Sequence, residues 1–510
     1  MQRAIGIDCI GAYVPRLYID LTGEWASTRA PLWSDGDVRK LVGKVTEGVG
    51  VTRMAVTDAH QDCATLAAMA AKRAIDAAGI DPRDIDYLAV GTETTVDQSK
   101  STAAYVLGML ERHYGVSMAC AGAPQFQFAC IGATYALEAA ISRIRAGDHA
   151  KPYSMVIASD VSRYPLCTPG EYTQGAGAVA LLISENPRLI EIERGLTATI
   201  TRDERDFFRP NWSSTAVVDG KYSVDVYLDC VEAAFSAFTG RLARQVGTEE
   251  SAVLDAIDYL LFHVPFPRMA EYAAARILAT QWLASGDAGL VEAVPLAALP
   301  PTGDGRSWRK EVEKALAKSA LFRATYARKV APSLSLSRDV GNIYSGSLYL
   351  ALASLLEHCR AESRSLAGKR AVFASYGSGA SAKVFSGLFA DRYAEIAAQL
   401  HVGADLLPEA EGGQRVALSV SEYERLHGLV DCELKAESDV LQKLRDGVAL
   451  APLEVASLRA AWTKPSWRVA SRGASVRPPR GEFALERIGT DQSPQRMDVG
   501  YRYYTWVPES

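Results

Sequence analysis

The chain has 510 residues, of which 48% are apolar and 23% are charged, a balance typical of folded proteins and unlike that of disordered chains. Its 55 basic and 60 acidic residues give a formal net charge of −5, which argues against nucleic acid as the main partner. The eight cysteines form no CxxC pair, no apolar stretch reaches the roughly 18 residues that span a bilayer, and no signal-peptide core is present, so a zinc, membrane or secreted protein is not expected and a cytoplasmic location is predicted.

The first part of the chain predicts alternating helices and strands. Residues 62–78 have a helical spacing of apolar residues, and Gly79 is placed to end that helix. A buried strand follows at 87–90 and runs into Gly91-Thr-Glu93. The next predicted elements are a helix near 101–112, a helix over 133–144 just after Cys130, a strand at 155–158 and a core strand at 175–183.

The second part of the chain repeats this order of elements. The predictions here are a helix at 227–242, a strand at 258–262 that runs into His263, helices near 267–280 and at 346–358, and a strand at 371–374 followed by Ser375-Tyr-Gly-Ser-Gly379. The two Asp-Tyr-Leu strands, at 86–88 and 258–260, favour a duplication with a site where the two halves meet. Two ordinary α/β domains with chance similarity are the alternative.

The duplication predicts three regions. Residues 1–190 and 191–405 form the two α/β halves, and an insertion near 281–322 lengthens the second half. Residues 406–510 form a C-terminal extension, in which 459–480 is a basic linker that contains prolines. Such a stretch is typical of a solvated surface segment, and contact with an anionic ligand or an acidic partner is the alternative.

Two residues of the first half have the chemistry of a catalytic pair. Cys130 lies among small residues in front of a helix, whose dipole favours the thiolate, so it is a candidate nucleophile; a buried structural cysteine is the alternative. Glu93 follows a buried strand, where partial burial raises the pKa of a carboxyl group toward the range of a general base. A solvated or helix-capping glutamate is the alternative for Glu93.

The second half contains matching candidates. His263 follows its strand in the same way as Glu93 follows the strand of the first half. Asn342, at a predicted helix start, is either an N-cap or a side-chain donor to a substrate. Gly377-Ser378-Gly379 is either a simple turn or a turn whose backbone N–H groups face an oxyanion.

At these residues the chain resembles the 3-hydroxy-3-methylglutaryl-CoA synthases, a family of the thiolase superfamily. The resemblance extends from the first strand to about residue 425 and rests on many ordered segments. They include Gly91-Thr-Glu93, Ala129-Cys130-Ile-Gly-Ala-Thr134, Ala158-Ser-Asp160-Val-Ser-Arg-Tyr164, Asp206-Phe-Phe-Arg-Pro210, Phe262-His263-Val-Pro265 and Val340-Gly-Asn342-Ile-Tyr344.

The resemblance implies a fold, an activity and a set of site residues. The fold is an α/β, five-layer αβαβα sandwich of two duplicated halves, usually a homodimer. The activity is the condensation of acetyl-CoA with acetoacetyl-CoA in the mevalonate pathway of isoprenoid synthesis, with no metal or redox cofactor. Cys130 falls on the acetylated nucleophile, Glu93 on the general acid/base and His263 on the histidine that orients acetoacetyl-CoA. The residues that fall on positions holding substrate or tuning this triad are Asp160, Tyr164, Thr173, Asp206, Asn342, Tyr344 and Ser378.

Some residues depart from the family pattern. Phe128, two residues before the candidate nucleophile, stands where many members have glutamate. Glu271 and Tyr272 stand where many members have lysines that meet the phosphates of CoA, so Arg268 is the cation that remains for this role.

These departures leave two further interpretations. The missing lysines favour a related enzyme of polyketide β-branching, which acts on thioesters bound to an acyl carrier protein, whereas the segment that begins at Thr173 favours the mevalonate-pathway synthase. A non-catalytic thiolase-like scaffold subunit is the third interpretation. The presence of Glu93, Cys130 and His263 together argues against it, because a scaffold needs none of them.

Overall fold

The computed structural model describes residues 3–285 except 212 and 214, 305–427, 448, 480–488 and 501–509. The middle of the predicted insertion and the basic linker up to residue 479 lie outside the described residues.

The strands fall into one large sheet and three small ones. In chain order they are β1 (Ile5–Tyr13), β2 (Leu17–Asp20), β3 (Arg53–Val56), β4 (Ile85–Gly91), β5 (Gln125–Phe126), β6 (Tyr153–Val161), β7 (Ala176–Glu185), β8 (Ile190–Thr201), β9 (Phe207–Phe208), β10 (Val217–Val218), β11 (Tyr259–Phe262), β12 (Arg370–Gly377), β13 (Ser381–Phe389), β14 (Val416–Ala417), β15 (Glu482–Ile488) and β16 (Arg502–Val507).

The helices alternate with these strands. The α-helices of the described residues are α1 (Glu24–Trp33), α2 (Val38–Gly43), α3 (Cys63–Ala78), α4 (Thr102–Tyr114), α5 (Gly132–Ala146), α6 (Gly220–Val246), α7 (Pro267–Ser285), α8 (Gly305–Ala317), α9 (Ala320–Lys329), α10 (Ser337–Val340), α11 (Ser347–Ala361), α12 (Tyr393–Ala397) and α13 (Val402–Asp405). Among these helices, none combines the length and the apolar character that crossing a bilayer requires.

The large sheet shows the predicted duplication directly. Its nine strands have the order β11-β12-β13-β8-β1-β7-β6-β4-β5. Outward from the central β8–β1 pair, both sides run antiparallel, antiparallel and then parallel, as β1-β7-β6-β4 and as β8-β13-β12-β11. Glu93 lies just beyond β4 and His263 just beyond β11, so they occupy equivalent positions in the two halves.

Helices form the remaining layers. The outer helix α3 packs on β1, β6 and β7, and its counterpart α6 packs on β8, β12 and β13. The inner helix α5 packs on β4 and β6, while α11 packs on β11 and β12. The two inner helices meet where Thr134 Oγ1 of α5 lies 2.9 Å from the Tyr349 hydroxyl of α11. The result is the predicted layered α/β architecture with two similar halves.

Local signals explain why several predicted helices have the expected bounds. Asp62 accepts hydrogen bonds from the backbone of Ala64 and Thr65 and caps α3, and Gly79 ends this helix with φ +66°. The predicted helix at 227–242 is longer in the structure, because α6 is capped by Asp219 and begins at Gly220, before the predicted start. Asn342 lies before a separate turn at Tyr344–Gly346 and does not cap α11, whose N-cap is Gly346.

The end of the chain returns to the first half. The β15–β16 hairpin packs on α3 and α4, and Arg502 Nη1 lies 2.7 Å from Oδ2 of Asp62, with both side chains buried. The Tyr504 hydroxyl donates to the same carboxylate oxygen at 3.0 Å. The hairpin therefore contacts the residue that caps α3, and the predicted C-terminal extension contains a part of the packed fold.

Replacing Arg502 with methionine should destabilise the protein. Removing one partner of a buried ion pair leaves the other charge buried and unpaired, which costs about 3 kcal/mol. We expect the concentration of guanidinium chloride at which half of the protein is unfolded to fall for Arg502→Met. Arg480→Gln changes an exposed arginine next to the same hairpin and should leave the midpoint where it is. Equal midpoints for the two variants would mean that the buried pair contributes nothing.

Candidate active site

Close backbone contacts bring Cys130 between the two halves. Gly91, the last residue of β4, approaches α5 so closely that a Cβ there would lie 2.3 Å from Cα of Ala133. Gly377, the last residue of β12, approaches from the other half, and a Cβ there would lie 2.7 Å from Cγ2 of Ile131. Glycine at these two positions lets both strand ends reach the segment that carries Cys130.

Glu93 and Cys130 lie side by side in this space. Oε2 of Glu93 is 3.9 Å from Sγ of Cys130, within the range of a hydrogen bond to sulfur. Oε1, the other carboxylate oxygen, accepts from Nη2 of Arg209 at 2.7 Å. Arg209 also donates through Nη1 to the backbone carbonyl of Glu93. The carboxylate therefore faces the thiol with one oxygen and a guanidinium with the other.

Asp160, at the end of β6, holds the backbone around Glu93. Its Oδ1 accepts from the backbone N–H groups of Glu93 and Thr94 at 2.9 Å and 3.1 Å, and from the hydroxyls of Thr92 and Thr94 at 2.8 Å each. Its Oδ2 accepts from the backbone N–H and the hydroxyl of Ser345, at 3.1 Å and 2.7 Å. A fully buried carboxylate with this many donors positions Glu93 and ties the two halves together.

Aromatic side chains line the wall beside the thiol. Tyr164, Phe207, Ala216 and Tyr344 form one buried cluster against which Cys130 packs. The rings of Phe207 and Tyr344 meet edge to face, with centroids 6.2 Å apart. The cluster leaves Cys130 only partly exposed.

His263 approaches this site from the second half. It is buried, and its backbone carbonyl accepts from the Tyr227 hydroxyl at 2.9 Å. The ring of Tyr227 lies 6.3 Å from the His263 ring. Burial, and after it the charge of a Cys130 thiolate, raises the pKa of the Tyr227 phenol, so this ring lies near both His263 and Cys130. Nδ1 of His263 has no hydrogen-bond partner among the described residues.

Hydrogen bonds hold several of the other predicted positions in place. Oδ1 of Asn342 accepts from the Tyr344 N–H at 2.9 Å, which fixes the amide and leaves its NH₂ as the group that can donate. The backbone N–H of Asn342 donates to the carbonyl of Thr173 at 3.1 Å. Oδ1 of Asp206 accepts from the Gly379 N–H at 3.0 Å, so this carboxylate orients the turn that contains Ser378.

Burial sets the charge states of the site. It raises the pKa of Glu93 to about 8, against the lowering effect of the neighbouring Arg209 guanidinium. It lowers the pKa of His263 to about 3, so the imidazole is neutral at physiological pH. Burial, followed by the adjacent Glu93, raises the pKa of Cys130 well above its usual range.

The last result corrects one expectation. The helix dipole was expected to favour the thiolate of Cys130, but α5 begins only at Gly132, and the partly buried thiol lies next to a carboxylate. The cost of burying a charge exceeds the weak attraction of a helix end. Cys130 is therefore a protonated thiol in this site, and its proton must leave during any nucleophilic step.

Arg268 and Phe128, at which the chain departs from the family pattern, have partners outside the Glu93–Cys130 pair. Arg268 lies in the first turn of α7 and pairs with Glu271, while its Nη2 donates to the carbonyl of Glu47 at 2.6 Å. Phe128 stacks on Tyr135, with ring centroids 6.1 Å apart, and leaves no charge two residues before the candidate nucleophile. Neither side chain contacts the Glu93 carboxylate in the described structure.

Sequence reasoning missed Arg209. The residue stands in the segment Asp206-Phe-Phe-Arg-Pro210, in which only Asp206 received a role. Its signal was a single cation between aromatic residues and a proline. Such a cation is usually solvated, and nothing local indicated its pairing with a carboxylate 116 residues earlier in the chain.

Known proteins resemble the chain over most of its length. Residues 1–187 match the family model for the hydroxymethylglutaryl-coenzyme A synthase N terminal domain, and residues 190–432 match that for the C terminal domain. The hydroxymethylglutaryl-CoA synthase of Haloferax volcanii is 31% identical over 447 residues, which cover 86% of this chain and 94% of that protein. The hydroxymethylglutaryl-CoA synthase of Enterococcus faecalis is also 31% identical, and the match covers 87% of this chain and 95% of that protein.

Solved structures agree with these relatives. MvaS in complex with 3-hydroxy-3-methylglutaryl coenzyme A is 33% identical, with a TM-score of 0.74 and coverage of 99% of this chain and 100% of that one. The HMG synthase of the curacin biosynthetic pathway, solved in complex with an apo donor-ACP, is 25% identical, with a TM-score of 0.67 and coverage of 99% and 100%.

The duplicated sheet, the inner helices and a thiol beside a carboxylate at the contact of the two halves define a thiolase-like protein. Within that class, the matches to both domains across residues 1–432 decide the family. The chain belongs to the hydroxymethylglutaryl-CoA synthase family.

Proposed function

We propose that this protein is a hydroxymethylglutaryl-CoA synthase, which condenses acetyl-CoA with acetoacetyl-CoA to give 3-hydroxy-3-methylglutaryl-CoA and CoA. The observation that carries the proposal is the 3.9 Å contact between Sγ of Cys130 and Oε2 of Glu93 at the junction of two similar halves. A thiol can hold the acetyl group, and a carboxylate next to it can remove a proton from the acetyl methyl.

The first step is acetyl transfer to Cys130. The sulfur attacks the carbonyl carbon of acetyl-CoA, the bond to the CoA sulfur breaks, and the thiol proton ends on the departing CoA. Backbone N–H groups near Cys130 and Ser378 stabilise the oxyanion that forms in between. The turn at Ser378 is suited to this role because Asp206 fixes its backbone.

The second step forms the carbon–carbon bond. Glu93 takes a proton from the methyl group of acetyl-Cys130, and the resulting enolate attacks the ketone carbon of acetoacetyl-CoA. Neutral His263 and the amide of Asn342 orient this ketone by hydrogen bonds. The new alkoxide takes up a proton, and water then cleaves the bond to Cys130, which releases the product and restores the thiol.

An assay with free substrates tests the proposal. Purified protein with acetyl-CoA and acetoacetyl-CoA should release CoA in step with 3-hydroxy-3-methylglutaryl-CoA, both measured by mass spectrometry. The same acyl groups should be loaded on an acyl carrier protein as the comparison. Product from the carrier-bound substrates alone would replace the proposal with the β-branching enzyme. Absence of product from both the free and the carrier-bound substrates would contradict both functions.

The pairing of Arg268 is the observation that favours the carrier-protein alternative. The Arg268 guanidinium is satisfied by Glu271 and by the carbonyl of Glu47, so a CoA phosphate must compete with a carboxylate for it. A protein that docks a carrier domain has less need of a free cation at this position. The homology to the Haloferax volcanii and Enterococcus faecalis enzymes supports free CoA thioesters as the first candidate.

Variants at this ion pair should change substrate affinity in opposite directions. If CoA phosphates bind there, Arg268→Ala should raise the KM for CoA substrates several-fold with little change in kcat, the pattern of lost uniform binding. Glu271→Gln should lower the KM, because it releases the guanidinium. Arg323→Ala, at an exposed arginine of α9, is the control. Unchanged KM values in both variants would place the phosphate site elsewhere, for example at the basic stretch 459–480.

Assembly and location complete the proposal. A homodimer stays a prediction from the family resemblance, a cytoplasmic location a prediction from the composition, and the boundaries at residues 190 and 405 predictions from the duplication. Acetyl-CoA and acetoacetyl-CoA are the proposed partners, and every step above uses side chains of this chain. Sedimentation of the purified protein measures its oligomeric state.

A further inference from the structure

We infer that Arg209 is a positioning residue for the condensation step: it holds one oxygen of Glu93 and thereby leaves the other oxygen to accept the methyl proton. The inference rests on the proposed function, since it assigns the proton-accepting atom of that reaction. It concerns a residue that lies 116 positions after Glu93 and reaches it from the second half of the molecule.

The two oxygens of the Glu93 carboxylate have different partners. Oε1 lies 2.7 Å from Nη2 of Arg209, whereas Oε2 lies 3.9 Å from Sγ of Cys130. An acetyl group on that sulfur places its methyl next to Oε2. The proton therefore passes from carbon to Oε2, while Oε1 keeps its hydrogen bond to Arg209 throughout the transfer.

The backbone of Glu93 is fixed on both sides as well. Arg209 donates through Nη1 to the backbone carbonyl of Glu93, and Asp160 accepts from its backbone N–H at 2.9 Å. The two contacts of Arg209 form a fork, which only a guanidinium can provide. The guanidinium is partly buried, and its carbon lies 6.0 Å from the centroid of the Tyr344 ring. This packing limits the conformations that the Arg209 side chain can adopt.

Among the titratable and charged groups that face Glu93 in the described structure, Arg209 is the cation. Those groups are Arg209 itself, Asp160, Cys130, Tyr164 and Tyr344. Burial and Asp160 raise the pKa of Glu93, and Arg209 opposes both. Without that guanidinium, the carboxyl group would keep its proton to higher pH and be a base in a smaller fraction of molecules.

Three variants test this role. Arg209→Gln removes the charge and the fork, Arg209→Lys keeps the charge alone, and Arg205→Gln changes an exposed arginine of the same segment as the control. The first measurement needs no turnover: the infrared band of protonated Glu93, identified as the band lost in Glu93→Gln, is followed against pH. The second is the pH dependence of kcat for condensation.

The expected results have a definite sign. A base that must be ionised works better as pH rises, so wild-type kcat should increase with pH toward a plateau, with a midpoint near the pKa of about 8 for Glu93. In Arg209→Gln both midpoints should move to higher pH, and kcat at pH 7 should fall about tenfold or more. In Arg209→Lys the midpoints should return toward the wild type, with a lower plateau because the fork is lost.

The outcomes separate the two claims. If the infrared midpoint of Arg209→Gln equals that of the wild type, the positioning role is wrong, even where kcat falls. If the wild type makes no product but the infrared midpoint still moves in Arg209→Gln, the proposed function fails and the pairing with Glu93 stands. A uniform loss of kcat at every pH would mean a structural role alone and would overturn the inference.

Discussion

Replacement of Cys130 with alanine will abolish the transfer of label from labelled acetyl-CoA to the protein. The sulfur is the atom that holds the acetyl group, and loss of a catalytic nucleophile costs at least about 10⁴-fold in rate. In the wild type, peptide mapping should place the label on the peptide that contains residue 130. Cys130 is the candidate because its thiol lies beside Glu93 and is only partly buried.

Other cysteines provide the controls for this result. Cys63 is buried, and its sulfur donates to the backbone carbonyl of Ser159 at 3.2 Å, so a thioester substrate cannot reach it. Cys120 is exposed and lies outside the site, so Cys120→Ala should be labelled like the wild type. Label on Cys63 or Cys167 in the wild type would contradict the assignment.

Replacement of Glu93 with alanine should separate the two chemical steps. Acetylation needs a nucleophile and an oxyanion site, whereas condensation also needs a base at the acetyl methyl. A positioned general base contributes roughly 10²–10⁴-fold, so Glu93→Ala should condense that much more slowly. Its acetylation should persist, because removing the carboxylate also removes a charge that raises the pKa of Cys130.

The measurements are burst acetylation and single-turnover condensation on the same protein. Glu93→Gln keeps an oxygen acceptor for Arg209 and should be impaired similarly, since it lacks the basic oxygen. Glu362→Gln, at an exposed glutamate after α11, is the control. Condensation at the wild-type rate in Glu93→Ala would place the base elsewhere, and loss of acetylation would give Glu93 a different role.

The elements that the sequence predicted well are those with local signals. Asp62 marks the start of α3 through hydrogen bonds to neighbouring residues, and Gly79 marks its end through its own backbone conformation. The same holds for Gly147, which ends α5 with φ +73°. The start of α6 and the separate turn before α11 were less clear, because neither the early cap at Asp219 nor a 3₁₀ turn changes the spacing of apolar residues.

The candidate triad was also accessible from the sequence, for a different reason. A duplicated order of strands places Glu93 and His263 at equivalent strand ends, and the family resemblance adds Cys130. Their roles could therefore be proposed without coordinates. The sequence predicted the raised pKa of Glu93 correctly, since burial at a strand end follows from the apolar strand before it.

The state of the thiol and the partner of the base were decided by the tertiary structure. The prediction of a stabilised thiolate considered the local helix alone, but the pKa of Cys130 depends on burial and on a carboxylate 37 residues earlier in the chain. Arg209 reaches Glu93 across the junction of the halves, a contact that no local pattern encodes. Charge states of buried groups depend on every neighbour in space, so the sequence determined the fold and the candidate reactive residues, while packing decided which of their protons can move.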